Sequence, residues 1–546
     1  WWTVYKNALL ASNSLLSLDQ HFTVSPTNTV DFHTNLTRQA PSKTFENHKM
    51  DMQEGSVASA NNPENAADNF SPLSMLPPEC LVNILDHLDT ADNLAVSNVS
   101  KDLRKWAKPL VFRDILWAYT STPLRRVLLL LEQIFLNPQC AGYVKHLQLT
   151  YTGPAWIMPD PDIDFRQHAT RFAFVSRKAI QFVSQIGLFD TVGYAALLYQ
   201  GDYYAYAAVL MFQLHNLRVL ELDYTYTLVG GYPGLFLQIA LRSSFEGISR
   251  FNRLEKLKYG GDVPQAEKLD DEAEEAVAAI PVLENTDQFA PWFALPKLKH
   301  VEMWLRSTFE LDKYKDQLAG RELESLVLAR SSVDAADIKE ILSACPKLRK
   351  LHLGVSYNLV SKLALLDSKE LADALKPLKD RLETLSIGLD TDPSFVGGFS
   401  WEQDNTFGST LTDPFLMLFS EFTKLQELEV PMPLLLGWFS NENWADFHKY
   451  LPPKLRHLVM RNDLSGFDNY TWDPYGMVFA VDQRIVETKK RIPSLERVTL
   501  RVWATNPRRP NEDFLAEAAD MAQSVGVQCD LVVDELGSGL WVARAS

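Results

Sequence analysis

The sequence predicts an α/β fold in which a compact three-helix element precedes an irregular solenoid of strand-loop-helix units. Residues 73 to 115, "LSMLPPECLVNILDHLDTADNLAVSNVSKDLRKWAKPLVFRDI", carry apolar residues at helical spacing. Downstream, a Leu-x-x-Leu-x-Leu phrase recurs ten times. At 546 residues and 46% hydrophobic, the chain is also long enough to bury a large core in two or more domains or in one extended array.

The first 70 residues show no sustained helical or strand period and end in "MDMQEGSVASANNPENAADNFS", which is poor in large apolar groups. Such a segment cannot offset its conformational entropy by burial, so a disordered leader is expected over 1–70. Because the first methionines are Met50 and Met52, translation is expected to begin at one of them, with 1–49 an upstream misreading or fragment edge.

The three-helix element is expected over 71–117. Leu81, Ile84, Leu85 and Leu88 fall at i, i+3, i+4 and i+7, on one face of a helix entered at Pro77 and Pro78. Asp89 or Thr90 offers the cap of a second helix with Leu94, Val96 and Val99, and Ser100 the cap of a third with Leu103 and Trp106, which Pro109 ends. About forty residues are near the lower limit for independent stability, so the element either caps the domain behind it or docks on another chain.

The ordered pattern Leu76-Pro77-x-Glu79, Leu81, Ile84-Leu85, Leu88, Leu94, Val96, Val99-Ser100-Lys101, Arg104 and Pro109-Leu110-Val111-Phe112-Arg113 resembles the F-box domain, particularly the fungal form. Cys80 stands where a larger aliphatic residue is usual. The resemblance implies binding to the Skp-type adaptor of cullin-RING ubiquitin ligases, with Leu76, Pro77, Leu81, Ile84, Leu85, Leu88, Val99 and Leu103 as contacts or their supporting core.

Residues 118–142, with "LLLLEQIFLNPQC", read as a linking helix, and 143–546 as the repeat array. The apolar residues opening its strands are Leu147, Leu220, Leu257, Val301, Leu326, Leu351, Leu385, Leu428, Leu458 and Val498. Their steps run from 25 to 73 residues, around and above the roughly 20–29 of leucine-rich repeats, and the longest step could hide a copy. Helical patterns such as "VDAADIKEILSACP" lie between copies, and the whole resembles the leucine-rich-repeat solenoid that follows the F-box in many family members.

Alternation within each strand sends the leucines inward and the intervening residues onto an exposed sheet face. The residues expected there include His300, Glu302, Trp304, Lys350, His352, Glu427, Glu429, Arg461 and Arg501, the candidates for holding a protein target; a solvated face with no single partner site is the alternative.

Other chemistries are poorly supported. A formal charge of -16, from 69 acidic and 53 basic side chains, argues against nucleic acid. Cys80, Cys140, Cys345 and Cys529 are too dispersed for a metal pair or a disulfide framework, which points to a reducing cytoplasmic or nuclear setting. The apolar runs at 125–136 and 191–214 read as buried helices rather than membrane spans, the second being interrupted by Gln200 and Asp202. His146, His300 and His457 share a repeat position on distant strands and so cannot share a metal. Asp160, Asp162 and Asp164 have calcium-loop spacing without its glycine or closing glutamate, and "LDDEAEEAVAAI" from 269 reads as a helix start in an insertion. No catalytic or phosphate-binding motif is present, so no cofactor is expected. The expected function is a non-catalytic substrate receptor of an SCF-type ligase; an adaptor-bound scaffold outside such a ligase, or an enzyme with an unrecognised site, are the alternatives.

Overall fold

Among the described residues twelve strands hydrogen-bond in chain order into one sheet, each parallel to its neighbours. The computed structural model describes residues 76–534, leaving aside 154–158, 189, 230, 262–287, 306–321, 332, 334, 358–367, 392–414, 416, 438–447, 464–473 and 504–511. The expected leader and the acidic stretch from 269 lie outside the described residues.

Among the described residues three helices come first: α1 Pro78–Asp86, α2 Thr90–Val99 and α3 Lys101–Val111. The side chain of Asp89 accepts from the Asp92 N–H at 2.7 Å, and Ser100 Oγ accepts from the Leu103 N–H at 3.1 Å, so the expected caps close α2 and α3. Pro109 does not end α3, which continues to Val111. A proline in the last turn removes only one helical hydrogen bond, and Leu110, packed against the core of the three helices, holds the turn in place.

The strands are β1 Asp114–Tyr119, β2 His146–Tyr151, β3 Val219–Asp223, β4 Lys256–Gly261, β5 His300–Met303, β6 Ser325–Ser331, β7 Lys350–Tyr357, β8 Thr384–Thr391, β9 Glu427–Pro431, β10 His457–Arg461, β11 Arg497–Trp503 and β12 Gln528–Asp534. All ten recurrences of the leucine phrase are strands. β1 and β12 lack the phrase and extend the sheet at its two ends. The register places Ile115, Leu147, Leu220, Leu257, Val301, Leu326, Leu351, Leu385, Leu428, Leu458, Val498 and Cys529 in one row across the sheet. From Leu147 to Val498 this row is buried, so the inward half of the alternation forms the core.

A second regularity joins the helices to the sheet. The Arg113 carbonyl, just past α3, accepts both the Lys145 and His146 N–H groups at 2.9 and 3.1 Å. The same doubled bond recurs at Lys145, Arg218, Glu255, Lys299, Glu324, Arg349, Glu383, Gln426 and Arg456. The backbone ladder at the strand entrances therefore starts from the end of the three-helix element.

Between β1 and β2 runs α4 Leu124–Leu136, on the expected linking segment, which also contains the last two residues of β1, while its first four fall within the span expected for the three-helix element. The longest repeat step holds helices and, among its described residues, no strand: α5 Phe165–Ile186, α6 Thr191–Gln200 and α7 Tyr203–Met211. Every residue of α7 is buried. Asp164, Asp190 and Asp202 cap these three helices with side-chain acceptors, which is the role of Asp164 in the calcium-like spacing, while Asp162 accepts from the Arg125 N–H. Gly201 lies between α6 and α7 at φ 80°, where a Cβ would come within 2.4 Å of Phe165. Further helices are α8 Tyr232–Arg242, α9 Ala335–Ser343, α10 Ser368–Leu375, α11 Pro474–Arg491 and α12 Glu512–Ser524. Among the described residues no helix is long and apolar enough to cross a membrane.

Candidate functional site

The residues expected on the open sheet face fall into rows by their position along each strand, and the rows differ. At the first outward position His300, Lys350 and Glu427 are exposed. At the second, Glu302 is half-buried on β5, whereas His352, Ser386 and Glu429 on β7 to β9 are buried. Past it, Trp304 and Arg461 are buried as well, and Arg501 keeps 17% of its side chain exposed. The expectation that Trp304, His352, Glu429 and Arg461 stand free for a target is therefore corrected. Trp304 packs edge-on against Tyr224 at a centroid separation of 6.4 Å, and the other three bind one another through a cross-strand polar network.

Glu429 is the centre of that network. Its Oε1 accepts from Arg461 Nη1 at 2.8 Å and Arg501 Nη1 at 2.5 Å, and its Oε2 accepts from Ser386 Oγ at 3.0 Å. Arg461 Nε also donates to both oxygens of Asp463, at 2.9 and 3.0 Å, and Asp463 accepts the Leu389 N–H. These bonds match each buried carboxylate with at least one guanidinium, as burial demands. Burial pushes the Glu429 carboxyl up, but Arg461 and Arg501 outweigh it and hold the group below the usual glutamate range. Burial pushes the His352 imidazole down to about 3.

The hydrogen-bond directions decide what the network can do. Because Ser386 Oγ donates to Glu429, it accepts from His352 Nδ1 across their 2.7 Å contact. Burial keeps the imidazole neutral, and the direction of this bond puts its proton on Nδ1. A serine nucleophile would need the reverse, its hydroxyl donating to an imidazole acceptor. The arrangement fixes the face rather than activating an oxygen.

A second buried acid sits at the other end of the face. Asp223 Oδ2 accepts from Tyr119 Oη at 3.1 Å and the Tyr151 N–H at 2.5 Å, and Oδ1 from the Thr225 N–H and hydroxyl. Burial raises its carboxyl to about 6, with these donors opposing the rise. His146, His300 and His457 lie on β2, β5 and β10, and no group of three metal-ligating side chains occurs among the described residues. Further pairs cross the strands on the exposed or half-buried part of the face: Lys256 with Glu221 at 2.7 Å, Lys258 with Glu302 at 3.5 Å and Thr384 with Glu427 at 3.1 Å.

In the three-helix element the fully buried apolar core is four residues, Leu81, Leu85, Leu103 and Ala107, with Leu88, Val96, Trp106 and Leu110 packed around it. Asn93 is buried and its amide nitrogen lies 3.0 to 3.1 Å from the carbonyls of Leu85, Leu88 and Asp89, tying the C-terminal end of α1 to α2. Arg113 pairs with Asp86 and with Asp114, the latter at 2.8 Å. Set against this small core, Ile84, Leu94 and Val99 are 44%, 52% and 73% exposed. Residues 73–114 match the F-box domain model. F-box domains bind Skp-type adaptors in cullin-RING ligases, and proteins that carry them are in general non-catalytic substrate receptors. No curated protein matches the chain.

Within the F-box the residues expected at the adaptor separate into two groups. Leu81, Leu85 and Leu103 are internal, at 3 to 7% exposure, and Leu88 is half-buried against them. Ile84 and Val99 face outward, Pro77 is exposed and Leu76 half-buried. Leu94 belongs with the outward group and was not among the expected contacts. Asn93 was missed because a lone polar residue in an amphipathic pattern reads as surface; an Asx residue next to a helix end that lacks a glycine cap is the signal that could have found it.

Proposed function

We propose that the chain is the substrate-recognition subunit of an SCF-type cullin-RING ubiquitin ligase. The single observation that carries this reading is the F-box at 73–114 with large apolar side chains turned to solvent on α1 and α2. A monomeric domain of this size gains nothing from leaving Ile84, Leu94 and Val99 exposed, whereas covering them with an adaptor contributes about 25 cal/mol for each Å² removed from water.

The sheet is read as an irregular leucine-rich-repeat solenoid that holds the target. Parallel strands in sequence order, a continuous leucine row and an unbroken entrance ladder support that assignment. Target contacts then belong to the exposed first row, His300, Lys350 and Glu427, with Glu302 and Arg501 at its margin, on a base stiffened by the Glu429 network. Catalysis would come from proximity: holding a target near a loaded conjugating enzyme makes transfer effectively intramolecular, with no acid-base work from this chain.

Affinity purification of the full chain tests the reading. A cullin and a RING subunit should co-purify with the Skp-type adaptor. Adaptor without either would assign the chain to a scaffold outside the ligase, and neither adaptor nor cullin would refute the receptor role.

A further inference from the structure

We infer that the solvent face of the α5 and α6 helices is a docking surface for an acidic amphipathic helix of a partner protein, distinct from both the F-box and the sheet face. α5 holds Arg166, Arg171, Arg177 and Lys178 and not one carboxylate over Phe165–Ile186. All four cations are exposed. At 100° per residue, Arg166 and Arg177 lie at the centre of the exposed arc, with Arg171 and Lys178 together on one flank.

None of the four makes an ion pair among the described residues; Lys178 Nζ reaches only Gln181 at 3.4 Å, and Arg171 lies over the Phe172 ring at 5.4 Å. Some exposed cations elsewhere are matched, as Lys256 is to Glu221, Lys347 to Glu322, Arg349 to Glu383 and Arg456 to Glu496, and others, such as Arg125 and Lys424, are not among the described residues; what sets α5 apart is four cations on one helix without a carboxylate. The nearest carboxylates in the chain, Asp160, Asp162, Asp164 and Asp190, stand before the first turns of α5 and α6, leaving Arg171, Arg177 and Lys178 further along α5 without one. The unmatched charge is complementary to an acidic surface.

The apolar half of the surface comes from α6, which packs against α5 and has no charged residue over Thr191–Gln200. Val192 and Tyr199 are 76% and 69% exposed, among the most exposed large apolar side chains in the described chain. Seven residues apart on one helix, they stand about 10.5 Å apart along its axis. Between them lie Ala195 and Ala196, which leave a notch bounded by two large side chains. A notch of that form takes the ridge of a second helix at an interaxial distance of about 8–10 Å. The occupant these features fit is helical, apolar on its contact side and acidic on its flanks.

The test uses the full chain and a synthetic helical peptide of about five turns, with leucines on one face and glutamates flanking them. Binding is followed by fluorescence anisotropy at low and at high salt. Binding that weakens with salt, falls about tenfold in the R171E/R177E/K178E variant and about tenfold in V192S/Y199S is expected. A peptide with lysine for each glutamate should not bind. Circular dichroism reports whether the reversal variant is folded; should it be misfolded, R177Q/K178Q should still show a smaller loss, and unchanged binding there overturns the proposal. It is equally overturned if both peptides bind alike, if phosphatidylserine vesicles bind in place of the peptide, or if the face proves to join two copies of this chain in sedimentation.

Discussion

Replacing Glu429 by alanine should destabilise the repeat region by about 3 kcal/mol, the lower end of the cost of breaking a buried ion pair. Two facts set the size. Arg461 has no exposed side-chain surface and loses its 2.8 Å bond to Glu429, but it keeps both oxygens of Asp463, so its charge stays matched. Arg501 loses its 2.5 Å bond to Glu429 as well, and its 17% exposure lets it turn partly toward water. The assay is urea unfolding followed by far-UV circular dichroism, comparing midpoints for Glu429→Ala, Glu429→Gln and Glu427→Ala. Glutamine keeps the shape and one acceptor while removing the charge, so its midpoint should fall between those of wild type and alanine. Glu427, exposed and bonded to the Thr384 hydroxyl at 3.1 Å, should tolerate alanine without measurable change. Because Glu429 and Arg501 act as a pair, Glu429→Ala/Arg501→Ala should lose less than the two single losses added. Equal midpoints for the alanine variants at 427 and 429 would refute the network as the element that stiffens the face.

Acid should weaken the same region through His352. In the unfolded chain its imidazole takes a proton near pH 6.5, whereas the folded site holds it neutral down to about pH 3. Its contribution is therefore complete above pH 6.5 and is lost as pH falls toward 3, by up to about 1.4 kcal/mol per pH unit. His352→Gln should flatten the fall in urea midpoint between pH 6.5 and 5 relative to wild type. In the F-box, Asn93→Ala should cost about 1–3 kcal/mol, because the carbonyls at the end of α1 lose their donor inside the protein; thermal unfolding of the adaptor-free chain measures it. Leu85→Ala should cost about 2–5 kcal/mol by leaving a cavity in a four-residue core.

The leucine phrase was legible in the sequence because each copy repeats locally what one strand needs, an apolar residue at every second position. β1, "DILWAY", and β12, "QCDLVVD", escaped because Phe112 and Gly526 stand where the phrase has leucine or valine three residues before the first inward residue. Burial of the second outward row was not legible at all. Whether His352 is open or closed depends on Ser386, Glu429, Arg461 and Arg501, which lie 34 to 149 positions further along and meet only when β7 to β11 stand side by side. The F-box shows the same limit at shorter range. Ile84 and Leu85 are neighbours in one apolar stripe, and only the packing of α3 against α1 decides that Leu85 is core and Ile84 is surface. Pro109 was misread for a related reason, since tertiary contacts of Leu110 outweigh a local helix-breaking preference.

That division between Ile84 and Leu85 also gives the most direct measurement of the central claim. Titration calorimetry of a purified Skp-type adaptor against the wild-type chain, Ile84→Asp, Val99→Asp and Leu85→Asp separates docking from folding. Ile84→Asp and Val99→Asp should each weaken binding by about 2 kcal/mol, roughly thirtyfold, with α1 to α3 still folded by circular dichroism. Leu85→Asp should abolish binding together with the fold of the F-box. Full-strength adaptor binding by a folded Ile84→Asp/Val99→Asp double variant would contradict the account.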